Sequence, residues 1–156
     1  MPGLLDVLRD DRLVDTGIAC LRDFAPADVI INEGEEGRSV YLIEQGQVRV
    51  SERVELEDRR HIQPGLCDLG PGEVFGELNL FQAMPRSASV IAIDSCRLRV
   101  IDAERLAGFL DQHPERGYVV LRELFSVLSG RLRQADKRLG SLLAWGLKAH
   151  GIDRHL

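Results

Sequence analysis

Cysteine is scarce in this sequence, and that scarcity excludes two classes of protein. Only Cys20, Cys67 and Cys96 occur in 156 residues. An odd number at wide spacing, with no CxxC pair, indicates neither a disulfide framework nor a zinc site. The three are expected to serve as small apolar residues within the fold. The four histidines, His61, His113, His150 and His155, are scattered, which argues against a metal cluster. No apolar run approaches the ~20 residues that span a bilayer. Met1 to Asp11 lack the basic start, apolar block and small-residue cleavage site of a secretory signal. No membrane partner is therefore expected, and the cytoplasm is the expected compartment. Positive charge is also missing from most of the chain. The net charge is −5, yet residues 131–156 hold Arg131, Arg133, Lys137, Arg138, Lys148 and Arg154 against Asp136 and Asp153, a local +4 that leaves −9 for residues 1–130. An acidic body argues against DNA as a direct partner. The basic end reads as a solvated helix face.

What is present suits one folded domain. The length allows a single core and is short for two, and 29% charged with 44% hydrophobic residues is a globular composition. Residues 1–22 read as a helical lead-in, with Leu4, Leu5, Leu8, Leu13, Val14, Ile18 and Leu21 near helical spacing. Residues 23–102 change character: Val29–Ile31, Val40–Ile43, Gln47–Val50, Val90–Ile93 and Arg97–Val100 are short β-rich runs, several alternating with period two. Gly-rich corners separate them at residues 33–35, 44–46 and 70–72. The fold class is mainly β with flanking helices: a double-sheet jelly-roll barrel, short N-terminal helices and a long C-terminal helix. Residues 103–148 return to helix, a short one over 103–112 and a long one opened by Pro114, before a tail at 149–156. Along the long helix Tyr118, Leu121, Phe125, Leu128, Leu132, Ala135, Leu139 and Leu142 follow a 3,4 spacing. That is the seam of a parallel two-stranded coiled coil and predicts a homodimer, with an intramolecular stripe as the alternative. Gly140 and Gly146 are expected to bend or fray the helix beyond Leu139.

The chemistry lies between Gly70 and Val90, GPGEVFGELNLFQAMPRSASV. A short helix starting near Glu77 would aim backbone N–H groups outward as an anion site, and Gly76 would let the backbone approach a ligand closely. Arg86 carries a guanidinium fork that can take two phosphate oxygens, and Ser87 can add a hydroxyl. Glu77 is a carboxylate that would repel a phosphate. It makes sense where it accepts from a sugar hydroxyl while Arg86 balances its charge. A simple buried ion pair between Glu77 and Arg86 is the plainer alternative, at a desolvation cost.

These residues closely resemble the phosphate-binding cassette of the cyclic-nucleotide-binding domain family, which includes catabolite activator proteins, protein kinase A regulatory subunits and nucleotide-gated channels. The matching stretches are Phe75-Gly76-Glu77-Leu78-Asn79-Leu80 and Pro85-Arg86-Ser87-Ala88-Ser89-Val90, together with Asn32-Glu33-Gly34-Glu35, Tyr41-Leu42-Ile43 and Gly46-Gln47-Val48 upstream. The resemblance covers roughly residues 20–140. It implies that Glu77 binds a ribose 2′-hydroxyl and that Arg86 clamps a cyclic phosphate. The amides of Gly76, Leu78 and Ala88 and the Ser87 hydroxyl would complete the cradle. Asn79 stands where a small residue is usual, either adding a polar contact or facing solvent. Ala27 stands where the family's Phe-x-Pro-Gly-Asp turn carries glycine. Aligning Arg131-Leu132-Arg133 with the family's long helix puts Ala135 and Asp136 near the base, with Gln134 beside them. The implied ligand is cAMP or cGMP, with no other cofactor, no metal and no catalytic residue.

The family's transcription factors append a DNA-binding domain after the long helix, whereas this sequence ends at Leu156. Output is thus expected through an unidentified effector protein, through dimer rearrangement or through nucleotide buffering. Three alternatives stand beside this reading. A ligand-free interaction scaffold would keep the fold without the site. A cyclic di-GMP receptor would need extra basic or aromatic groups at the pocket. A cupin-like enzyme would need clustered His and Glu on its strands, where only His61 stands.

Overall fold

The period-two runs of the middle of the chain fold as antiparallel strands in the computed structural model, which describes residues 3–52, 54–55, 61–62 and 65–151. Two short helices, α1 (Leu4–Leu8) and α2 (Asp11–Asp15), precede strands β1 (Ala19–Phe24), β2 (Val29–Ile31), β3 (Glu36–Gly37), β4 (Ser39–Gln45), β5 (Val48–Ser51), β6 (Val54–Glu55), β7 (His61–Ile62), β8 (Gly65–Leu69) and β9 (Val74–Phe75). A single 3₁₀ turn (Glu77–Asn79) leads to β10 (Met84–Pro85), β11 (Ser89–Ala92) and β12 (Cys96–Asp102), followed by helices α3 (Ala103–Gln112) and α4 (Pro114–Ala149). Two four-stranded sheets, ordered β1-β12-β4-β9 and β2-β11-β5-β8, face each other as a jelly roll, and β3 pairs with β10 in a separate ribbon.

Strand β4 explains how the layers stack. Its residues Val40-Tyr41-Leu42-Ile43 are all buried, so alternate side chains serve two cores. Tyr41 and Ile43 join Ile31, Val48, Phe75, Val90 and Leu98 between the sheets. Val40 and Leu42 point the other way, onto Leu8, Leu13, Ile101, Leu106, Val120 and Leu124 beneath the helices. Each such side chain contributes about 1.5–3 kcal/mol by leaving water. The helices are therefore fastened to the outer face of one sheet. Asp102 caps α3 by accepting from the Arg105 N–H at 2.9 Å. The start of α4 is tied down twice: the Leu4 N–H donates to Glu123 Oε2 at 2.7 Å, and Arg116 pairs with Asp10.

The helical lead-in ends sooner than its spacing predicts. Asp10 breaks it by capping α2, Gly17 turns the chain at φ +75°, and Ala19 already pairs with Ile101 in a register that runs to Phe24 opposite Cys96. Leu21 thus lies on a strand and is exposed, because the ladder offered by β12 outweighs an apolar spacing with no helical face to bury. Cys20, on the same strand, is exposed, whereas Cys96 is buried as expected. Helix α4 continues through Gly140 and Gly146 to Ala149, one residue past the expected end at 148 and without fraying beyond Leu139. Its face packed on the body is Val119, Val120 and Leu124. Tyr118, Leu121, Phe125, Leu132, Leu139 and Leu142 are exposed, so most of the regular stripe is left uncovered by this chain's own barrel. Residues 152–156 of the expected tail, with Asp153, Arg154 and His155, lie outside the described residues. No described helix is long and apolar enough to cross a membrane.

Ala27 adopts φ +70°, a left-handed conformation that costs a residue with a Cβ roughly 1–2 kcal/mol. The turn is nonetheless locked: the Ala27 N–H donates to Ala92 O at 2.8 Å and the Ala92 N–H to Asp28 O at 2.9 Å. Replacing Ala27 by glycine relieves the strain at a smaller entropic cost. Ala27→Gly is expected to raise stability by up to about 1 kcal/mol, read as a Tm increase of a few degrees in thermal unfolding.

Candidate functional site

The turn at residues 32–35 builds the site by holding the main chain of Arg86. The Arg86 N–H donates to Glu35 O at 2.8 Å, and the Gly34 N–H donates to Arg86 O at 2.8 Å. Gly34 achieves this at φ +83°, a conformation glycine adopts without strain. Just beyond, β3 pairs with β10, Gly37 opposite Met84 and Glu36 opposite Pro85. Arg86 is thereby delivered to the mouth of the barrel with its side chain folded inward, only 7% exposed.

Its guanidinium lies against the backbone of Gly37. A Cβ at that glycine would come within 2.5 Å of Arg86 Nε and 2.6 Å of Nη2. Nη2 donates to Ser39 O at 3.0 Å, and Nη1 makes a long contact of 3.5 Å with Gly76 O. The Tyr41 ring, stacked on Phe75 with centroids 4.8 Å apart, lies 5.9 Å from the guanidinium carbon. Among the described residues no carboxylate is within ion-pair distance of Arg86. Burial pushes the guanidinium below its ordinary pKa, opposed by Tyr41 and Glu77. A buried cation satisfied only by carbonyl oxygens is an unusual expense, and it leaves N–H donors of the fork for an anion.

Glu77 does not pair with Arg86. Its side chain, 6% exposed, accepts instead from Arg131 Nη1 of α4 at 2.8 Å, while Arg131 Nη2 donates to Val74 O at 2.7 Å. Gly76, at φ +77°, turns the chain into this position, and a Cβ there would stand 2.9 Å from Ser39 O. The expected short helix is a single 3₁₀ turn. Asn79 within it is buried, and its side-chain amide donates to Gly37 O and to Met84 O, both at 2.7 Å. Asn79 is thus a brace that binds the β3–β10 ribbon to the cassette.

These groups converge on a cavity of about 390 Å³, within the range of small-molecule sites. One wall is Phe75, Gly76, Glu77, Leu78 and Asn79 with Arg86, Ser87 and Ala88. The opposite wall is apolar, from Ile31, Val50, Leu69, Val90 and Cys67, whose thiol burial pushes up and so keeps protonated. Leu128, Arg131, Leu132 and Ala135 of α4 close the third side. The cavity is polar at Arg86 and Glu77 and apolar beyond, which suits an anion joined to a flat apolar group.

Of the residues singled out in sequence, Pro85 lies outside the cavity, exposed in the ribbon. Ala135 lines it. Gln134 faces a neighbouring cavity of about 410 Å³ that shares Arg131 and Cys67. Asp136 is exposed and lines neither. Arg131, read as part of a solvated basic face, is a wall residue. The signal for it was the charge of Glu77, which calls for a cation that Arg86 does not supply. Among the described residues no group of three His, Cys, Asp or Glu is placed to hold a metal ion.

Known proteins resemble this chain in sequence and in fold. Residues 21–113 match the family described as Cyclic nucleotide-binding domain. The chain is 31% identical over 121 residues to the CRP-like cAMP-activated global transcriptional regulator of Mycobacterium tuberculosis, covering 78% of this chain and 50% of that protein. It is 34% identical over 113 residues to the cyclic AMP receptor protein of Thermus thermophilus, covering 72% and 49%. The chain therefore spans about half the length of the curated relatives it matches. Among solved structures, the Thermus thermophilus catabolite activator protein superposes with a TM-score of 0.66 at 28% identity, over 87% of this chain and 62% of that one.

Asn79→Ala strands two carbonyl oxygens and opens the brace. A loss of about 1–3 kcal/mol is expected, measured as a lower midpoint in urea unfolding.

Proposed function

The chain belongs to the cyclic nucleotide-binding domain family, and on that premise we propose that it is a receptor for a cyclic purine mononucleotide, cAMP or cGMP, without catalytic chemistry of its own. The observation that carries the reading is the buried Arg86 fork without a carboxylate partner among the described residues. The cyclic phosphate sits on Arg86 and Ser87 with the amides of Gly76, Leu78 and Ala88. The ribose 2′-hydroxyl donates to Glu77, whose charge Arg131 balances. The base occupies the apolar end, under Leu128, Leu132 and Ala135.

Charge favours this arrangement. A phosphate brought beside Glu77 alone would be repelled, but two guanidiniums, Arg86 and Arg131, flank that carboxylate. The relatives named for cAMP favour adenine as the base. The same wall carries the output: α4 contributes Arg131 to the cavity and runs on past it. A ligand that prefers one placement of α4 shifts the population toward it. The exposed seam of α4 then serves a homodimer, and the effector is a protein that reads the rearranged pair in the cytoplasm.

Titration calorimetry of cAMP, cGMP and cyclic di-GMP into the protein and into Arg86→Ala tests the proposal. One mononucleotide is expected to bind, and Arg86→Ala to weaken it at least ten-fold, about 1.5–3 kcal/mol. Binding of cyclic di-GMP alone would reassign the ligand. No heat with any of the three would leave an interaction scaffold. Gly37→Ala offers a sharper check, since Gly37 does not line the cavity but its new Cβ must displace the Arg86 guanidinium. It is expected to lower nucleotide affinity by a similar factor, measured in the same titration.

A further inference from the structure

Helix α4 places two opposite charges at the edges of its own apolar seam, and one of them is the cavity's Arg131. In the seam register Tyr118, Phe125, Leu132 and Leu139 form one set of core positions, and Leu121, Leu128, Ala135 and Leu142 the other. Arg131 immediately precedes Leu132, and Asp136 immediately follows Ala135. In a parallel two-stranded coiled coil these flanking positions of the two helices face each other across the seam, and their charges choose partner and orientation. The spacing from Arg131 to Asp136 is the one that such cross-pairs use.

Three observations converge on a second copy as the occupant of this face. The seam residues Phe125, Leu132, Leu139 and Leu142 are exposed, on a helix that continues well past the body. Asp136 is exposed, with no ion pair among the described residues. Arg131 is half-buried and uses two N–H groups, on Glu77 and on Val74 O, out of the five a guanidinium carries. It can therefore hold Glu77 and meet a second carboxylate at once.

We propose that Asp136 of a second copy pairs with Arg131 across a parallel two-fold seam. The proposal rests on the reading of α4 as a homodimer helix. It makes one guanidinium common to the ligand site and the dimer interface. Nucleotide binding at Glu77 and association through α4 then act on the same group, and any coupling between them is reciprocal.

A charge exchange tests the pairing. Asp136→Arg places two arginines opposite each other at both symmetry-related contacts, and Arg131→Asp places two aspartates there. Each variant alone is expected to dimerise at least ten-fold more weakly than the wild-type chain in sedimentation equilibrium at low salt. An equimolar mixture is expected to recover a dimer of wild-type strength, because both cross-pairs become attractive again. Wild-type dimerisation by either variant, a mixture as weak as its components, or a wild-type chain that stays monomeric overturns the proposal. An antiparallel seam also fails this test, since it does not juxtapose the two positions. Asp136→Asn guards against a folding defect, because Asp136 is exposed. It should weaken the dimer a few-fold and blunt its salt dependence, and an unchanged dimer would refute the pairing. Calorimetry on the wild-type chain separates the two claims: nucleotide binding with a failed exchange removes only the pairing, and a successful exchange without nucleotide binding removes only the receptor.

Discussion

A guanidinium taken out of water must be given polar partners, and the way Arg86 receives them organises much of this molecule. Its main chain is clamped by Gly34 and Glu35, its plane rests on Gly37, and its donors reach Ser39 O and toward Gly76 O. Each partner comes from a different piece of the barrel. The turn before β3, the ribbon β3–β10, the start of β4 and the entry to the 3₁₀ turn must all be in place before the charge is satisfied. The glycines at 37 and 76 leave the space the guanidinium fills. Asn79 then ties the ribbon to the cassette through two carbonyls, so the polar wall is braced from both sides.

The second organising element is α4, which is fixed at one end and exposed at the other. Its first turns are buried through Val119, Val120 and Leu124 and tied to the N-terminal helices through Glu123 and Arg116. Its middle supplies Leu128, Arg131, Leu132 and Ala135 to the cavity, and its far half carries an apolar stripe into solvent. A helix anchored in this way can transmit a change at the cavity wall along its length, since a rigid element moves as a unit.

Legibility of the site in the sequence followed locality. The cassette was readable because Phe75 to Asn79 and Arg86 to Ala88 are close in sequence and because Gly, Glu and Arg each have a narrow chemical use there. The role of Arg131 is not legible because it depends on contact with a residue 54 positions away, and a basic residue on a helix surface looks the same in sequence whether or not a carboxylate faces it. The supposed Glu77–Arg86 pair failed for the same reason. Proximity in sequence suggested it, but the 3₁₀ turn directs Glu77 toward α4 while the ribbon folds Arg86 onto Gly37. The end of the lead-in helix is not legible because apolar spacing over residues 13–21 is compatible with a helix until a strand edge competes for the backbone.

The sequence by itself determined the period-two strands, the glycine corners, the long helix with its 3,4 stripe, and the residue types of an anion site. Those depend on local conformational preference and on side-chain chemistry, both of which are properties of short segments. Only the tertiary structure decided which cation serves which carboxylate, that Asn79 is a brace, that Ala27 is held at a positive φ, and that α4 forms the third wall of the cavity. Those depend on which segments pack together, and packing is set by burial of apolar surface summed over the whole chain rather than by any stretch of it.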